Sequence, residues 1–509
     1  MRKTILLLTF LCLCGFGMAQ TVSFGQYFED HSLRMDVYQC GTRDTSHYVF
    51  ERFVIEPWFG GSRVNLIDPY DLGTNRVKVV DAATNTVIYL HGYNTLFREW
   101  QTTDEATRME RCYEESVSVP KPLNKAYIVL EIRDFNGDFV ETFSKLYEPD
   151  EIFNTTEQRY VFPHYDVLVN GQSNTKVDVA ILPEGYTAEE MEKFKSDCDH
   201  LVQVFSNNEP FASHINDFNF RAVLAPSEES GTDVPADHKW VRTILNSHFS
   251  TFYIDRYCTT RDYFSVKDVA ANVPYDQIYI LVNSTQYGGS GLFNFYSIST
   301  AGNMSSESVI VHEFGHAFAG LADEYTEPNN PLLLLYNLNV EPWEPNITSL
   351  VDFDSKWADL VAQGTPIPTP NNAQYANAVG AFEGGGYFET GMYRPQVHCM
   401  MRDYAPFCAV CNRTIEAVIA AHGDSLISGR TVHQSVSTLL SVYPNPATDH
   451  IDICVCEKDT NADILDVNGV TVMKVKLSDK VNRVDIGSLC DGIYFVSMNG
   501  RKVKFVKQR

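Results

Sequence analysis

Two histidines four residues apart enclose a glutamate in His312-Glu313-Phe314-Gly315-His316. On an α-helix that step is about 40° of rotation and about 6 Å of rise. Both imidazoles therefore leave one face and can converge on a single ion. Imidazole nitrogen suits zinc, and zinc lowers the pKa of a bound water to about 7, within range of a neighbouring carboxylate. Glu313 stands where that base is needed, and it can pass the proton to a leaving amine. The pattern predicts zinc-assisted peptide hydrolysis with His312 and His316 as ligands and Glu313 as catalytic base. Three fixed residues can also fall together by chance on an ordinary helix. Here the context favours chemistry: an apolar strand precedes, Val309-Ile310-Val311 leads in, Phe314 and Phe318 supply a core face, and Gly315 allows close packing.

A catalytic zinc usually takes a third protein ligand. Gly320 is a natural helix stop, because glycine enters the left-handed cap conformation freely. The chain then turns back through Leu321-Ala322-Asp323-Glu324-Tyr325. In metzincin peptidases the third ligand falls ten residues after the first histidine, with glycine at the seventh. Here that tenth position is Ala322, which cannot ligate, and the glycine comes one place late. Asp323 fits a register shifted by one and is the expected third ligand. Glu324 and Glu327 are rivals, as are Glu341 and Glu344 if a distant segment supplies the ligand. Asp323 could instead serve as a cap or as a partner to a histidine.

The stretch His312 to Tyr325 (His-Glu-Phe-Gly-His-Ala-Phe-Ala-Gly-Leu-Ala-Asp-Glu-Tyr) resembles the signature of the IgA peptidase family of zinc metallopeptidases. So do Gly384-Gly-Gly-Tyr387 leading to Tyr393-Arg394-Pro395, Cys399-Met400-Met401-Arg402 with Phe407-Cys408 and Cys411, and Leu182-Pro-Glu-Gly-Tyr186 upstream. The resemblance spans residues 170 to 422. It implies a metzincin-like zinc peptidase with His312, His316 and Asp323 on the metal and Glu313 as base. It also implies a methionine floor under the metal, assigned to Met401 with Met400 as runner-up; such a side chain packs as a polarisable surface rather than bonding zinc. Tyr404 is a candidate transition-state donor. Arg394 could anchor a substrate carboxylate, although a structural ion pair is the simpler reading.

These residues need a scaffold, and the chain is long enough for several domains. Residues 1–19 have a basic start, an apolar run and small residues before Gln20, the pattern of a signal peptide. Lipidation at Cys14 is disfavoured by the bulky Leu13. Residues 20–165 alternate in short strand-like runs such as Arg76–Val80 and Ala126–Leu130, which predicts an N-terminal β-sandwich without a catalytic cluster. In residues 166–423 the pattern changes to a catalytic domain. Strands are expected at Lys176–Leu182, Asn219–Ala225 and Gln277–Val282. A capping box at Thr187–Glu190 opens a helix to Phe205. Gly288–Gly291 reads as a flexible loop or a cleft-lining strand, the active-site helix runs from Ser305 to Ala319, and a closing helix from Cys411 to Ala421. Glu324 to Pro395 reads as a long excursion with few regular elements. A Ser/Thr-rich linker, 424–441, leads to a β-rich module, 442–509. Its Tyr443-Pro-Asn-Pro446, Asp466-Val-Asn468-Gly469 and Gly492-Ile-Tyr-Phe-Val496 resemble the sorting domain of type-nine secretion cargo; Asp466–Gly469 reads as a hairpin turn. The fold class expected is multidomain: an α/β zincin (metzincin-like) catalytic domain flanked by two β-sandwich domains.

The net charge of −25 repels nucleic acid and anionic lipid. No stretch after the first twenty residues is long and apolar enough to span a membrane. Export permits disulfides, and a local one through Cys399 is expected; Cys408-x-x-Cys411 has the form of half a zinc knuckle with no second such pair. The partners expected are extracellular protein or glycoprotein substrates and the secretion machinery. The competing reading from another class is a surface adhesin or glycan-binding protein with a non-catalytic zinc site.

Overall fold

Strands buried on both faces and strands that alternate build different sheets here. The computed structural model describes residues 22–423, 426, 440–445, 447–455, 460–467, 469–479, 481–498 and 501–508. The expected signal peptide and nearly all of the expected linker lie outside these residues. The chain is multidomain, mostly β-sheet with few helices.

Towards the N-terminus a three-stranded antiparallel sheet (Ser46–Glu56, Phe28–Gly41, Arg111–Pro122) faces a four-stranded one (Val87–Tyr93, Asn75–Asp81, Ala126–Arg133, Phe139–Tyr147). Leu33 and Val37 from the first and Val77 and Ile128 from the second share one buried core. Cys40 and Cys112 lie opposite each other on paired strands and form a disulfide.

The central sheet has six strands in the order Gly289–Leu292, Tyr296–Thr300, Gln277–Val282, Val177–Glu184, Phe218–Val223, His164–Val169. The inner pairings are parallel and the two outer ones antiparallel. Val177–Glu184 and Gln277–Val282 are buried throughout. The helices Met191–Asn207, Ser306–Ala319 and Ala409–His422 share one core against this sheet, and Phe205, Phe211, Phe314 and Phe318 interlock there. The helix Tyr263–Ala270 contributes to the other core.

The expected strands and helices of this region are present within a few residues. Three elements were not anticipated: His164–Val169, Tyr296–Thr300 and Tyr263–Ala270. Of the two readings of Gly288–Gly291, a flexible loop or a strand, the structure has an edge strand, Gly289–Leu292. Glycine carries no pattern signal, yet a Cβ on Gly291 would stand 2.1 Å from the Glu313 carbonyl oxygen, so only glycine lets this strand lie on the helix Ser306–Ala319. Residues 324–395 contain short 3₁₀ turns and one hairpin, Phe382–Gly385 with Phe388–Arg394. At the C-terminus a three-stranded and a four-stranded sheet share the core of Ile451, Ile464, Val496 and Phe505. Its Asp466–Val470 turn joins two paired strands as a hairpin, with Gly469 at φ 78°; Asn468 lies outside the described residues.

One ion cluster joins the N-terminal sheets to the central region. Arg34, 1 % exposed, contacts Asp36 at 2.9 Å and Glu56 at 3.1 Å from its own sheet, and Asp268 of the helix Tyr263–Ala270 at 2.6 Å. Removing the cation leaves buried carboxylates facing one another. Arg34→Met is expected to lower unfolding free energy by about 3–5 kcal/mol, read as a denaturant midpoint shift. Arg159→Ala, at an exposed guanidinium 3.9 Å from Asp268, is expected to leave the midpoint nearly unchanged.

Candidate metal centre

The helix Ser306–Ala319 stops at Gly320, which takes φ 61° as its cap. The Gly320 amide donates to the His316 carbonyl (3.1 Å) and the Leu321 amide to Gly315 (3.3 Å), so the chain folds back on its own last turn. A side chain at Gly320 would meet the Trp343 ring at 2.8 Å. This reversal delivers Asp323 to the face that carries the histidines.

His312 Nε2 and His316 Nε2 lie 3.1 Å apart, and Asp323 Oδ1 stands 3.2 Å from the first and 3.4 Å from the second. His312 Nδ1 lies 3.0 Å from the Met400 carbonyl and His316 Nδ1 2.6 Å from the Leu321 carbonyl. A carbonyl only accepts, so each Nδ1 must carry the hydrogen. Each neutral ring then presents a lone pair at Nε2. Asp323 Oδ1 is buried and has no well-formed hydrogen bond among the described residues. With both rings neutral, three lone-pair atoms converge. A tetrahedral ion with ligand bonds of about 2.0–2.1 Å spans ligand edges of about 3.3 Å, so these atoms fit a zinc-sized cation. The Glu313 carboxylate lies within 4.8 Å of the imidazole ligand atoms.

The local field has the sign a cation needs. Burial works to lower the His316 imidazole, yet Asp323 overrides it and leaves the group raised, to about 9. Burial would raise Asp323, but His316 and His312 hold it well below the usual carboxylate range. Burial also raises the Glu313 carboxyl, against the two imidazoles and with Asp323, which makes it a better proton acceptor.

The supporting residues divide clearly. Met401 is fully buried, and a Cβ on Gly315 would lie 3.0 Å from its sulfur, which puts the thioether beneath the helix. Met400 contributes its carbonyl to His312. The Tyr404 ring lies edge-on to His312 at 5.6 Å between centroids, and its hydroxyl is 2.5 Å from that of Tyr287. Of the rival ligands, Glu324 is buried on the other side of the turn among Cys399, Cys408 and Cys411. Glu327 pairs with Arg256, Glu341 accepts from Ser349 and Asp352, and Glu344 accepts from Tyr336. Arg394 donates to the carbonyls of Glu383 and Gly384, so it is occupied with backbone rather than with a carboxylate.

Two contributions were not anticipated. Tyr387 donates its hydroxyl to Asp323 Oδ2 at 2.6 Å, while the Gly386 amide donates to the Asp323 carbonyl at 2.8 Å. The signal was present in Gly384-Gly-Gly-Tyr387, because a glycine run lets backbone approach backbone, but its target cannot be read from sequence. The N-terminal region also reaches the cleft: Glu99 accepts from Tyr257, and the Asn94 amide donates to the Phe293 carbonyl at 2.8 Å. The cleft, about 500 Å³, runs past Tyr257, Glu313, Asp323, Tyr387 and Tyr404. At the edge strand, Gly289 is bridged by Tyr257, so that end of the strand is already covered.

Residues 166–374 and 370–419 match the family model described as IgA Peptidase M64. Residues 23–144 match the model described as Peptidase M64 N-terminus, and residues 441–508 the Secretion system C-terminal sorting domain. No curated protein gives a match to the chain.

A cation entering this site displaces the proton that Asp323 holds on His316. Cation affinity of the metal-free protein is therefore expected to rise with pH between pH 6 and 8, by titration calorimetry with zinc. The linked stability runs the other way. A histidine raised to about 9 stabilises the metal-free fold below its ordinary value, and that contribution is lost as pH rises through about 9.

Proposed function

Because the chain belongs to the IgA Peptidase M64 family and is thereby a metallopeptidase bearing a secretion sorting domain, we propose that it is a secreted zinc endopeptidase of extracellular proteins, with zinc held by His312, His316 and Asp323 and Glu313 as the catalytic base. The observation that carries this reading is the convergence of His312 Nε2, His316 Nε2 and Asp323 Oδ1 at 3.1–3.4 Å. We further propose the layout: a signal peptide at 1–19, a metzincin-like zincin domain over 166–423, β-sandwiches at 20–165 and 442–509, and a linker at 424–441. Among the described residues no helix is long and apolar enough to cross a membrane.

When bound, zinc supplies Lewis acidity for the scissile carbonyl and for an attacking water. Glu313, with its carboxyl raised by burial, takes the water's proton at one carboxylate oxygen and returns it to the departing amine nitrogen. Tyr387 holds Asp323 by its outer oxygen, Oδ2, which leaves Oδ1 turned to the histidines. The Met400 and Leu321 carbonyls fix both imidazoles by their Nδ1 hydrogens. The Tyr404 hydroxyl, at the cleft wall beside His312, is the donor for the oxyanion that develops on the carbonyl oxygen. The cleft is open and lined by tyrosines from several segments, which suits an extended polypeptide rather than an enclosed small molecule.

Hydrolysis of a quenched peptide library tests this. Glu313→Gln is expected to lower kcat/KM by about 100-fold to 10,000-fold while zinc stays bound. Asp323→Ala is expected to lose one equivalent of zinc per chain. Tyr404→Phe is expected to lower kcat by about 100-fold with KM little changed. Zinc content undiminished in Asp323→Ala, or a zinc-loaded wild type that cleaves nothing, contradicts the proposal.

A further inference from the structure

Behind the turn that carries Asp323 lies a second convergence of ligand atoms. Glu324, Cys399, Cys408 and Cys411 are buried, and one ligand atom from each lies within 4.8 Å of all the others. Cys399 Sγ is 3.6 Å from Cys411 Sγ. Glu324 Oε1 is 3.3 Å from Cys411 Sγ and 3.8 Å from Cys408 Sγ. For a tetrahedral zinc ion, bonds of about 2.3 Å to sulfur and about 2.0 Å to oxygen imply S···S edges of about 3.8 Å and S···O edges of about 3.5 Å. The observed separations have those magnitudes.

The surroundings are built for ionised ligands. The Cys408 amide donates to Cys399 Sγ at 3.3 Å and the Cys411 amide to Cys408 Sγ at 3.5 Å. Cys408 is the N-cap of the helix Ala409–His422, so the positive end of that helix meets the sulfurs. Glu324 Oε2 is buried with no hydrogen-bond partner among the described residues. A disulfide accounts for this cluster poorly. Three thiols are present, so any bond between two strands the third beside a buried, half-satisfied carboxylate. The structure records all three as free, in contrast to Cys40–Cys112. The local disulfide expected through Cys399 is therefore not formed. The half-knuckle Cys408-x-x-Cys411 is completed by two residues that sequence spacing does not connect.

We propose that Glu324, Cys399, Cys408 and Cys411 bind a second, structural zinc ion. Three thiols and one carboxyl give up their protons to bulk water, and the ion takes three sulfurs and one carboxylate oxygen. Its position gives it a use. The Glu324 amide donates to the Met401 carbonyl at 2.8 Å, and Asn346 clasps the segment from Ala322 to Glu324 by bonding the Ala322 carbonyl, the Ala322 amide and Glu324 Oε1. Asp323 lies inside that clasp, and Met400, next to Cys399, holds His312. An ion pinning Glu324 to Cys399 thus fixes both sides of the peptidase centre. It is a positioning site, and its existence does not depend on peptide cleavage.

The test uses full-length His316→Ala, which disables the first centre and leaves the second untouched. Loaded with cobalt, it is expected to hold about one ion per chain with the intense near-ultraviolet absorption of cobalt–thiolate bonds. Zinc content of the wild type is expected near two per chain. Peptide mapping after chelation and alkylation without reductant is expected to find Cys399, Cys408 and Cys411 all modified. A disulfide between any two of them, or a His316→Ala chain whose cobalt lacks the thiolate band, or one that takes up no cobalt, overturns the proposal.

Discussion

Lone pairs repel. Two imidazole nitrogens and a carboxylate oxygen held within 3.4 Å of one another, each with its hydrogen-bonding elsewhere already spent, need positive charge among them: a metal ion, or in its absence a proton on His316. Everything around the centre serves to hold those atoms against that repulsion. The Met400 and Leu321 carbonyls take the imidazole hydrogens on the far sides of the rings, and Tyr387 takes the far oxygen of Asp323. The helix is anchored from below by Phe314 and Phe318 in the largest core and from above by the glycine edge strand. The centre is thus preorganised by groups that never touch a substrate.

The turn after Gly320 is the point where the two proposed metal centres share a backbone. Asp323 points to the histidines and Glu324, its neighbour, points to the three thiols. Adjacent residues of a sharply turning chain face opposite ways, so one turn can serve both. Asn346 and the hairpin Phe382–Arg394 close over it. The long excursion between Glu324 and Arg394 has few regular elements because its work is to return chain to this turn rather than to build a sheet. The N-terminal sheets join the same framework through Arg34 below and through Asn94 and Glu99 at the cleft.

Some of this was legible in the sequence and some was not. The histidine pair and Glu313 are read from local geometry, because four residues on a helix fix where side chains point. Gly320 marks the cap for a similarly local reason. Asp323 needed the shifted register, since Ala322 occupies the usual place. The strands Val177–Glu184 and Gln277–Val282 announce themselves by the apolar runs Val179–Leu182 and Ile278–Val282 within them. Tyr296–Thr300 is buried too, but its serines and threonine hide it. At Gly289–Leu292 loop and strand stayed equally open because glycine has no side chain to show a pattern, while its role here is to lie close to another backbone. Tyr387, Glu99 and the four-residue thiol cluster are assembled across long sequence separations, and spacing carries no record of such meetings.

The central claim concerns one cation among three named atoms. The most direct measurement is an anomalous difference map at the zinc edge from a crystal of the full-length protein. The account predicts a peak about 2.0–2.2 Å from His312 Nε2, His316 Nε2 and an Asp323 carboxylate oxygen, with Glu313 beside it but not bonded. A zinc peak there that lacks Asp323, with the carboxylate turned away or another acid in its place, would contradict it.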